Sequence, residues 1–404
     1  MTRRVVTMAL SRQGGLNQCT HALNVGLVND GWELLHITSR GYELAHLPKP
    51  YEVRQVFDMA RTRPGAVAGL LWDLRRWRPA AIQLNGAEHP TRYLALFALL
   101  RLAVRAPLIY GAHNVSPQWT EETAPVRRTQ RLILRALGNL SDRVVVSAHE
   151  NKRRFVDLTG LPFAKVSVIP IGNNVPLRNP AEGVGAWDPD PAEPPPATGT
   201  NILFFGNIVP TKGLKYLLQA LPAVLREQPA ARLRIVGRPV EPFDAYAAMS
   251  SELGLGDHVD AQLSFVPFDE ILGHFRWADL LVLPYVQTSQ SGVLFTASAV
   301  ARPSVVTDVG GLPEAVEHER SGLIVPPRDP EALAVAVCRL LGDADLRAAM
   351  GRRAQELCNT TFSWRTIARE AGKLFEALGR GDNGRTGRRF RDPPPIDSAG
   401  SELN

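Results

Sequence analysis

The chain has 404 residues, 45% of them hydrophobic and 21% charged, with three cysteines and a formal charge of +6 at pH 7. That length suggests two domains or three, each large enough to bury a core without disulfide or metal staples. Cys19, Cys338 and Cys358 are too few and too scattered for a disulfide framework or a zinc cluster, and they fit a reducing, cytoplasmic compartment. The most apolar stretch, Leu94 to Tyr110, is broken by Arg101 and Arg105 and by Pro107. It falls short of the roughly 18 uninterrupted apolar residues of a membrane span. The opening MTRRVVTMALSRQGG reads as a first buried strand rather than a signal peptide. Only six of the 46 basic residues are lysines. Arginine suits bidentate contact with phosphates, and the modest positive balance fits phosphorylated substrates or an anionic membrane surface, with nothing that asks for nucleic acid.

From the N-terminus, short β-branched runs alternate with helical patterns. The expected strands are 5–10, 34–39, 80–85, 107–114, 143–148 and 166–172, with an extended region over 42–56. The expected helices are 16–29, 66–77, 91–103 and about 126–139. Pro176 to Pro196 holds seven prolines and little that could form a core, so a linker is placed at 179–200. The rhythm resumes with strands at 201–206, 231–237, 279–285, 303–308 and 321–326. Its helices are expected at 214–226, 243–253, from Gly292 onward, at 330–341, 343–357 and 362–378. Residues 379–404 are rich in Gly, Arg, Pro and Asp and read as a disordered tail. Strands alternating with helices imply parallel sheets covered on both faces, and ligands then bind at the C-terminal ends of the strands. The cleft between two such domains is the expected site.

Several loops fall at those strand ends. Gly14 and Gly15 follow the first strand and precede a helix, a turn that lets backbone amides approach an anion or serves simply as a tight turn. His113 ends the strand at 107–114, where it either meets a sugar hydroxyl or sits as a satisfied polar residue. In NIVPTKG (207–213), Lys212 can neutralise a diphosphate and Gly213 permits a close approach, or the lysine is a solvated helix start. In SQSG (289–292), Ser289 or Ser291 would cap a helix whose first amides, at Gly292 and Val293, could hold an anion. Gly310 and Gly311 form another tight loop, with Glu314 just beyond. Neither His89 nor His149 has ligand-type partners at metal spacing, so no metal is assigned.

The order of these motifs resembles the retaining glycosyltransferases of family 4, which have the GT-B fold. The resemblance runs from about Val5 to Leu378 and is carried by FFGNIVPTKGLKYLLQAL, ARLRIVG, ADLLVLPY, SQSGV, PSVVTDVGGLPEAV, SGLIVPPRDPEALA and the FSW helix. It implies an α/β architecture of two Rossmann-like doubly wound domains facing across a cleft. The acceptor domain would be 1–178 plus a crossover helix at 362–378, and the nucleotide-sugar domain 201–360. It also implies sugar transfer from a nucleotide-sugar donor to a hydroxyl acceptor, with no metal or other cofactor. Lys212, Gly292, Val293 and Gly15 would surround the donor diphosphate, and His113 would lie near the donor sugar. The acceptor would be a cell-envelope, lipid-linked or small-molecule glycan, and the basic, Trp-containing stretch 70–79 is either a peripheral contact with an anionic membrane or an ordinary helix with Leu and Trp buried and Arg in water.

Two departures stand out. Asn207 occupies the place of a phosphate-binding arginine, and Arg238 is either a substitute or a surface residue. The paired glutamates of the family fall on Thr296 with Thr288 or, by a second anchoring, Gln287, and no carboxylate occurs from Leu280 to Val306. A catalytically inactive partner of an active transferase, and a sugar-nucleotide isomerase or hydrolase, are therefore carried as alternatives.

Overall fold

The computed structural model describes residues 3–12, 14–58, 64–86, 90–113, 128–172, 199–267, 270–380 and 392–394. They form two all-parallel sheets with helices on both faces. The first sheet is built from β1 (Arg4–Ala9), β2 (Glu33–Ser39), β3 (Glu52–Phe57), β4 (Ala81–Gly86), β5 (Leu108–Ala112), β6 (Arg143–Val146) and β7 (Val166–Val168), in the order β3-β2-β1-β4-β5-β6-β7. The second contains β8 (Asn201–Phe205), β9 (Arg232–Val236), β10 (Val259–Gln262), β11 (Leu280–Leu283), β12 (Ser304–Thr307) and β13 (Gly322–Val325), in the order β10-β9-β8-β11-β12-β13. This is the two-Rossmann-domain GT-B architecture. In both sheets the order reverses beside the first strand, which opens a crevice at the strands' C-terminal ends.

The central strands are buried along their whole length, as expected for sheets covered on both faces. One face of the first sheet packs on α2 (Pro64–Trp77), α3 (Pro90–Ala103), α4 (Arg128–Leu140) and α5 (His149–Thr159), around Leu74, Phe97, Leu137 and Phe155. The opposite face packs on α1 (Gly15–Asn29) and, from the far end of the chain, α12 (Trp364–Gly379). At the α1–α12 crossing a Cβ on Gly26 would stand 2.7 Å from both Ala368 Cβ and the Trp364 carbonyl, so only glycine lets the two helices meet. Trp32 then meets Phe375 edge-on at 5.6 Å.

The second sheet is covered by α6 (Leu214–Glu227), α7 (Asp244–Glu252) and α10 (Pro330–Gly342) on one side. On the other lie α8 (Ile271–Trp277), α9 (Gly292–Ala299) and α11 (Ala344–Asn359). Phe362 still belongs to this second core, against Phe295 at 4.8 Å, whereas Ile367 lies in the first. The chain crosses between lobes in those few residues.

Three elements have no counterpart among the sequence expectations: α5, β10 and α8. The proline-rich stretch lies almost wholly outside the described residues. The C-terminal tail, expected to lack structure, has one described segment, Asp392–Pro394, which contacts α5.

Candidate active site

The loops that follow β8, β9, β11 and β12 converge on one patch of the second lobe, and close backbone approaches hold them there. After β8, Gly206 N–H donates to the Val236 carbonyl at 2.9 Å, and a Cβ on Gly237 would fall 1.9 Å from the Gly206 carbonyl oxygen. Asn207 and Arg238 are therefore neighbours at the ends of adjacent strands, both exposed, with Ile208 N–H donating to the Arg238 carbonyl at 3.0 Å.

The chain next makes a short 3-10 turn, Pro210–Lys212, ended by Gly213 in the left-handed region at φ 65°. A Cβ there would lie 1.9 Å from the Pro284 carbonyl oxygen. Val286 N–H reaches back to the Thr211 carbonyl at 2.9 Å. Lys212 is thus fixed at the end of β11, with its ammonium 3.6 Å from the centroid of the buried Tyr285 ring. The Tyr285 hydroxyl is in turn 3.3 Å from Ser291 Oγ.

Ser291 occupies the N-cap position of α9, as expected, yet its hydroxyl turns to Tyr285 and makes no capping bond. The first turn of α9, beginning at Gly292 and Val293, is left without a side-chain cap. The positions of the missing carboxylates are neutral and inward. Gln287 and Thr288 are buried, and the Thr288 hydroxyl donates to the Gln290 carbonyl at 3.0 Å. Thr296 is buried and donates to the Gly292 carbonyl, also at 3.0 Å. Gly310, at φ 56°, lies so close to this loop that a Cβ would stand 2.0 Å from the Thr288 carbonyl oxygen.

The first lobe presents its own set at the ends of β1, β4 and β5. His113 Nε2 lies 3.2 Å from Asn85 Oδ1. The same oxygen accepts from Gln83 Nε2 at 2.8 Å, while Asn85 Nδ2 donates to Thr20 Oγ1 at 3.0 Å. With Oδ1 accepting, His113 must carry its proton on Nε2, which leaves Nδ1 as an acceptor. Burial lowers the His113 pKa to about 4, so the ring is neutral near pH 7. Gly111 makes this possible, because a Cβ there would meet Asn85 Oδ1 at 2.3 Å and His113 Nε2 at 3.2 Å.

At the Gly14–Gly15 turn the Gly14 N–H is already engaged, donating to Glu43 Oε1 at 2.8 Å. Burial raises the Glu43 pKa to about 7, against the lowering effect of its bonds from Gly14 and Asn17. Asn85, Tyr285 and Glu43 were not singled out in the sequence. Asn85 was findable, because Gln83 and Asn85 alternate on one face of an otherwise apolar strand. Glu43 was not, since only the fold brings it to Gly14.

The lobes meet through α5. Glu314 accepts from the backbone N–H groups of His149 and Glu150, both at 2.7 Å. In this conformation both of its oxygens are committed to the first lobe rather than to the donor loops. Asn151 Nδ2 donates to the Ser289 carbonyl at 2.8 Å. A cavity of about 360 Å³ lies beside these contacts, lined by Ser147, His149, Gln290 and Glu314 together with α12 and Asp392–Pro394. No group of three or more His, Cys, Asp or Glu suited to a metal ion gathers among the described residues.

Two family models match the chain, the glycosyl transferase 4-like domain over residues 14–172 and the glycosyl transferases group 1 model over 199–343. A D-inositol 3-phosphate glycosyltransferase of Kineococcus radiotolerans is 31% identical over 307 residues, covering 71% of this chain and 69% of the relative. The chain belongs to the group 1, family 4 glycosyltransferases. Also similar is a GDP-mannose-dependent alpha-(1-6)-phosphatidylinositol monomannoside mannosyltransferase of Mycobacterium tuberculosis, 29% identical over 74% of this chain and 75% of that protein. Among solved structures, the Anabaena protein Alr3699/HepE in complex with UDP-glucose superposes with a TM-score of 0.69 at 18% identity, over 93% of this chain and all of that one. This glycosyltransferase transfers a sugar from a nucleotide-sugar donor to an acceptor.

Proposed function

We propose that the transfer proceeds with retention of configuration, on a donor whose diphosphate rests against Lys212 and the first turn of α9. The observation that carries this reading is the convergence of Lys212, Tyr285 and Ser291, which places a fixed ammonium beside an uncapped helix N-terminus. Both favour negative charge, and charge grows on the diphosphate as it leaves. In the step itself the bond from sugar C1 to the diphosphate oxygen breaks. A bond from C1 to the acceptor oxygen forms on the same face, and the acceptor proton passes to the departing phosphate oxygen. No protein nucleophile and no metal is required. Neutral His113, with Nδ1 free to accept, positions a sugar hydroxyl, and Arg238 supplies the positive charge that Asn207 lacks.

The acceptor side has a distinctive surface. Trp72 on α2, Leu99 and Leu102 on α3, and Leu132 on α4 are all exposed, Leu102 by 87%, on helices that cover the same sheet face. Exposed Arg75, Arg76, Arg131 and Arg135 lie on α2 and α4. Apolar side chains among arginines suit an anionic bilayer surface, so the acceptor is a lipid-linked or envelope glycan met at that surface. No helix among the described residues is long and apolar enough to cross a membrane.

Isothermal titration with UDP, GDP, ADP and dTDP tests the donor site. One nucleotide binds in the micromolar range, and Lys212→Ala weakens it about 10- to 100-fold, the worth of one charge-assisted hydrogen bond. Equal affinity in the variant would remove Lys212 from the diphosphate. Co-flotation with anionic but not neutral vesicles, reduced in Leu102→Glu/Leu132→Glu, tests the surface. Flotation unchanged in that variant would count against it.

A further inference from the structure

The contact between α5 and the C-terminal tail has no part in the transfer step. Lys152, in the first turns of α5, is buried with only 5% of its surface exposed. Its ammonium lies 4.0 Å from the centroid of the Phe163 ring and 2.6 Å from Asp392 Oδ2. A buried ammonium is costly unless it is paired, and Asp392 supplies the pair. The other oxygen of that carboxylate, Oδ1, accepts from Val168 N–H at 3.0 Å. Val168 ends β7, the edge strand of the first sheet. Its neighbour Ile169 donates to Val146 in β6, so by the alternation of a parallel strand Val168 N–H points off the edge. The carboxylate satisfies an edge amide that the sheet leaves open. One residue further on, His149 Nε2 is 2.8 Å from the Pro393 carbonyl oxygen, which can only accept, so the histidine donates.

Three donors from α5 and β7 thus converge on one carboxylate and one prolyl carbonyl. The proline run that follows Asp392 restricts the free segment before it docks, which lowers the entropy lost on docking. The same helix faces the second lobe, since Glu314 holds its first two amides and Asn151 holds the Ser289 carbonyl. Asp392, Pro393 and Pro394 also form part of the wall of the interlobe cavity.

We propose that Lys152, His149 and the Val168 amide form a docking site for an Asp-Pro segment, that Asp392–Pro394 of the same chain is its occupant, and that the docked tail holds α5 against the 288–291 loop of the second lobe. The proposal rests on these contacts and is independent of which nucleotide the second lobe takes.

The test is residue-resolved amide exchange on the full-length chain, comparing wild type with Asp392→Asn, a tail substitution that leaves both cores intact. The Val168 amide exchanges at least tenfold faster in the variant, and so do the amides of His149 and Glu150, while amides of β8 and β9 do not change. Lys152→Glu has the same effect, and adding Asp392→Lys to it brings the His149 and Glu150 amides back toward wild type, while the Val168 amide, from which a lysine cannot accept, stays fast. An unchanged Val168 amide in Asp392→Asn would overturn the docking site. A faster Val168 with unchanged α5 amides would overturn the coupling to the second lobe. Protection that falls on dilution would show a second copy supplying the tail and would overturn the assignment within one chain.

Discussion

Glu314 offers the sharpest test of how the two lobes are joined. Its carboxylate receives two backbone N–H bonds from the start of α5, each 2.7 Å. Charge-assisted bonds of this kind contribute about 1.5–3 kcal/mol each, and Glu314 is only half-buried, so the lower end applies and the pair amounts to about 3 kcal/mol. In Glu314→Gln the amide oxygen keeps one neutral bond of about 1 kcal/mol, while its NH2 faces the second N–H with nothing to accept. The net loss is about 2 kcal/mol, or about 30-fold in the opening of this contact. The assay is amide exchange at His149 and Glu150 in nucleotide-free protein, where both amides should exchange about 30-fold faster in Glu314→Gln. Exchange within threefold of wild type would refute the clamp. If the same variant then lost nucleotide affinity, Glu314 would act on the donor instead.

Two further outcomes follow from local geometry. Gly213→Ala combines a left-handed backbone at φ 65° with a Cβ 1.9 Å from the Pro284 carbonyl oxygen. It should cost about 3 kcal/mol, which is about 6–12 °C in Tm. Gly69→Ala, on α2 with nothing within 4 Å, is the control and should leave Tm unchanged or slightly raised. Equal melting of the two variants would show that the Lys212 turn is not anchored at Pro284. On acidification, burial keeps His21, His36 and His113 neutral, with pKa values lowered from 6.5 to about 4, 3 and 4. Their contribution is complete above pH 6.5 and is lost as the pH falls toward 4, because the unfolded chain then binds the extra protons. Glu43, raised from 4.5 to about 7, acts oppositely, stabilising most below 4.5 and losing that contribution as the pH rises through 7. Between pH 6.5 and 4.5 three histidines less one carboxyl leave two protons, so stability falls by up to about 2.7 kcal/mol per pH unit. Urea midpoints measured at several pH values check the sign, and a midpoint that rose on acidification would contradict it.

The strand-and-helix rhythm was legible wherever burial left a mark on composition. LLVL in β11 and SVVT in β12 are apolar or β-branched because both sheet faces are covered. Two of the three elements that sequence reading missed carry little of that mark, whereas α8, ILGHFRW, is apolar but only seven residues long. β10 is VDAQ on an edge, half exposed, and α5 is largely polar, since much of it faces the other lobe and the tail rather than a core. The glycines at 14–15, 213 and 310–311 could be located; Gly14 is required by its own backbone at φ 104°, whereas the reasons at 213 and 310–311 are tertiary. Gly213 faces the Pro284 carbonyl, Gly310 that of Thr288, and Gly311 meets Ala148 of the first lobe with a hypothetical Cβ 2.7 Å from Ala148 Cβ. Glu43 on Gly14 and Glu314 on α5 join residues far apart in the chain, and no local pattern announces such pairs.

That tertiary origin explains how the chain keeps the family's loops while departing from its charged residues. The donor-side loops are positioned by carbonyls facing Gly213, Gly237 and Gly310 and by the Val286 and Ile208 amides, all of them backbone groups. Replacing an arginine by Asn207, or glutamates by Gln287, Thr288 or Thr296, leaves every one of those contacts in place. Charge is what changes. Relative to the family pattern, two neutral residues in place of glutamates add two units of positive charge and Asn207 removes one, so the patch around Lys212 is one unit more positive. In the proposed donor site a diphosphate would meet less opposing negative charge beside Lys212, which adds to the positive charge of Arg238 in offsetting the lost guanidinium. A sugar in that proposed site would meet buried neutral side chains whose hydroxyls already donate to the Gln290 and Gly292 carbonyls. On the proposed reading, recognition of the sugar would shift from carboxylates on the second lobe toward the neutral His113–Asn85 pair of the first.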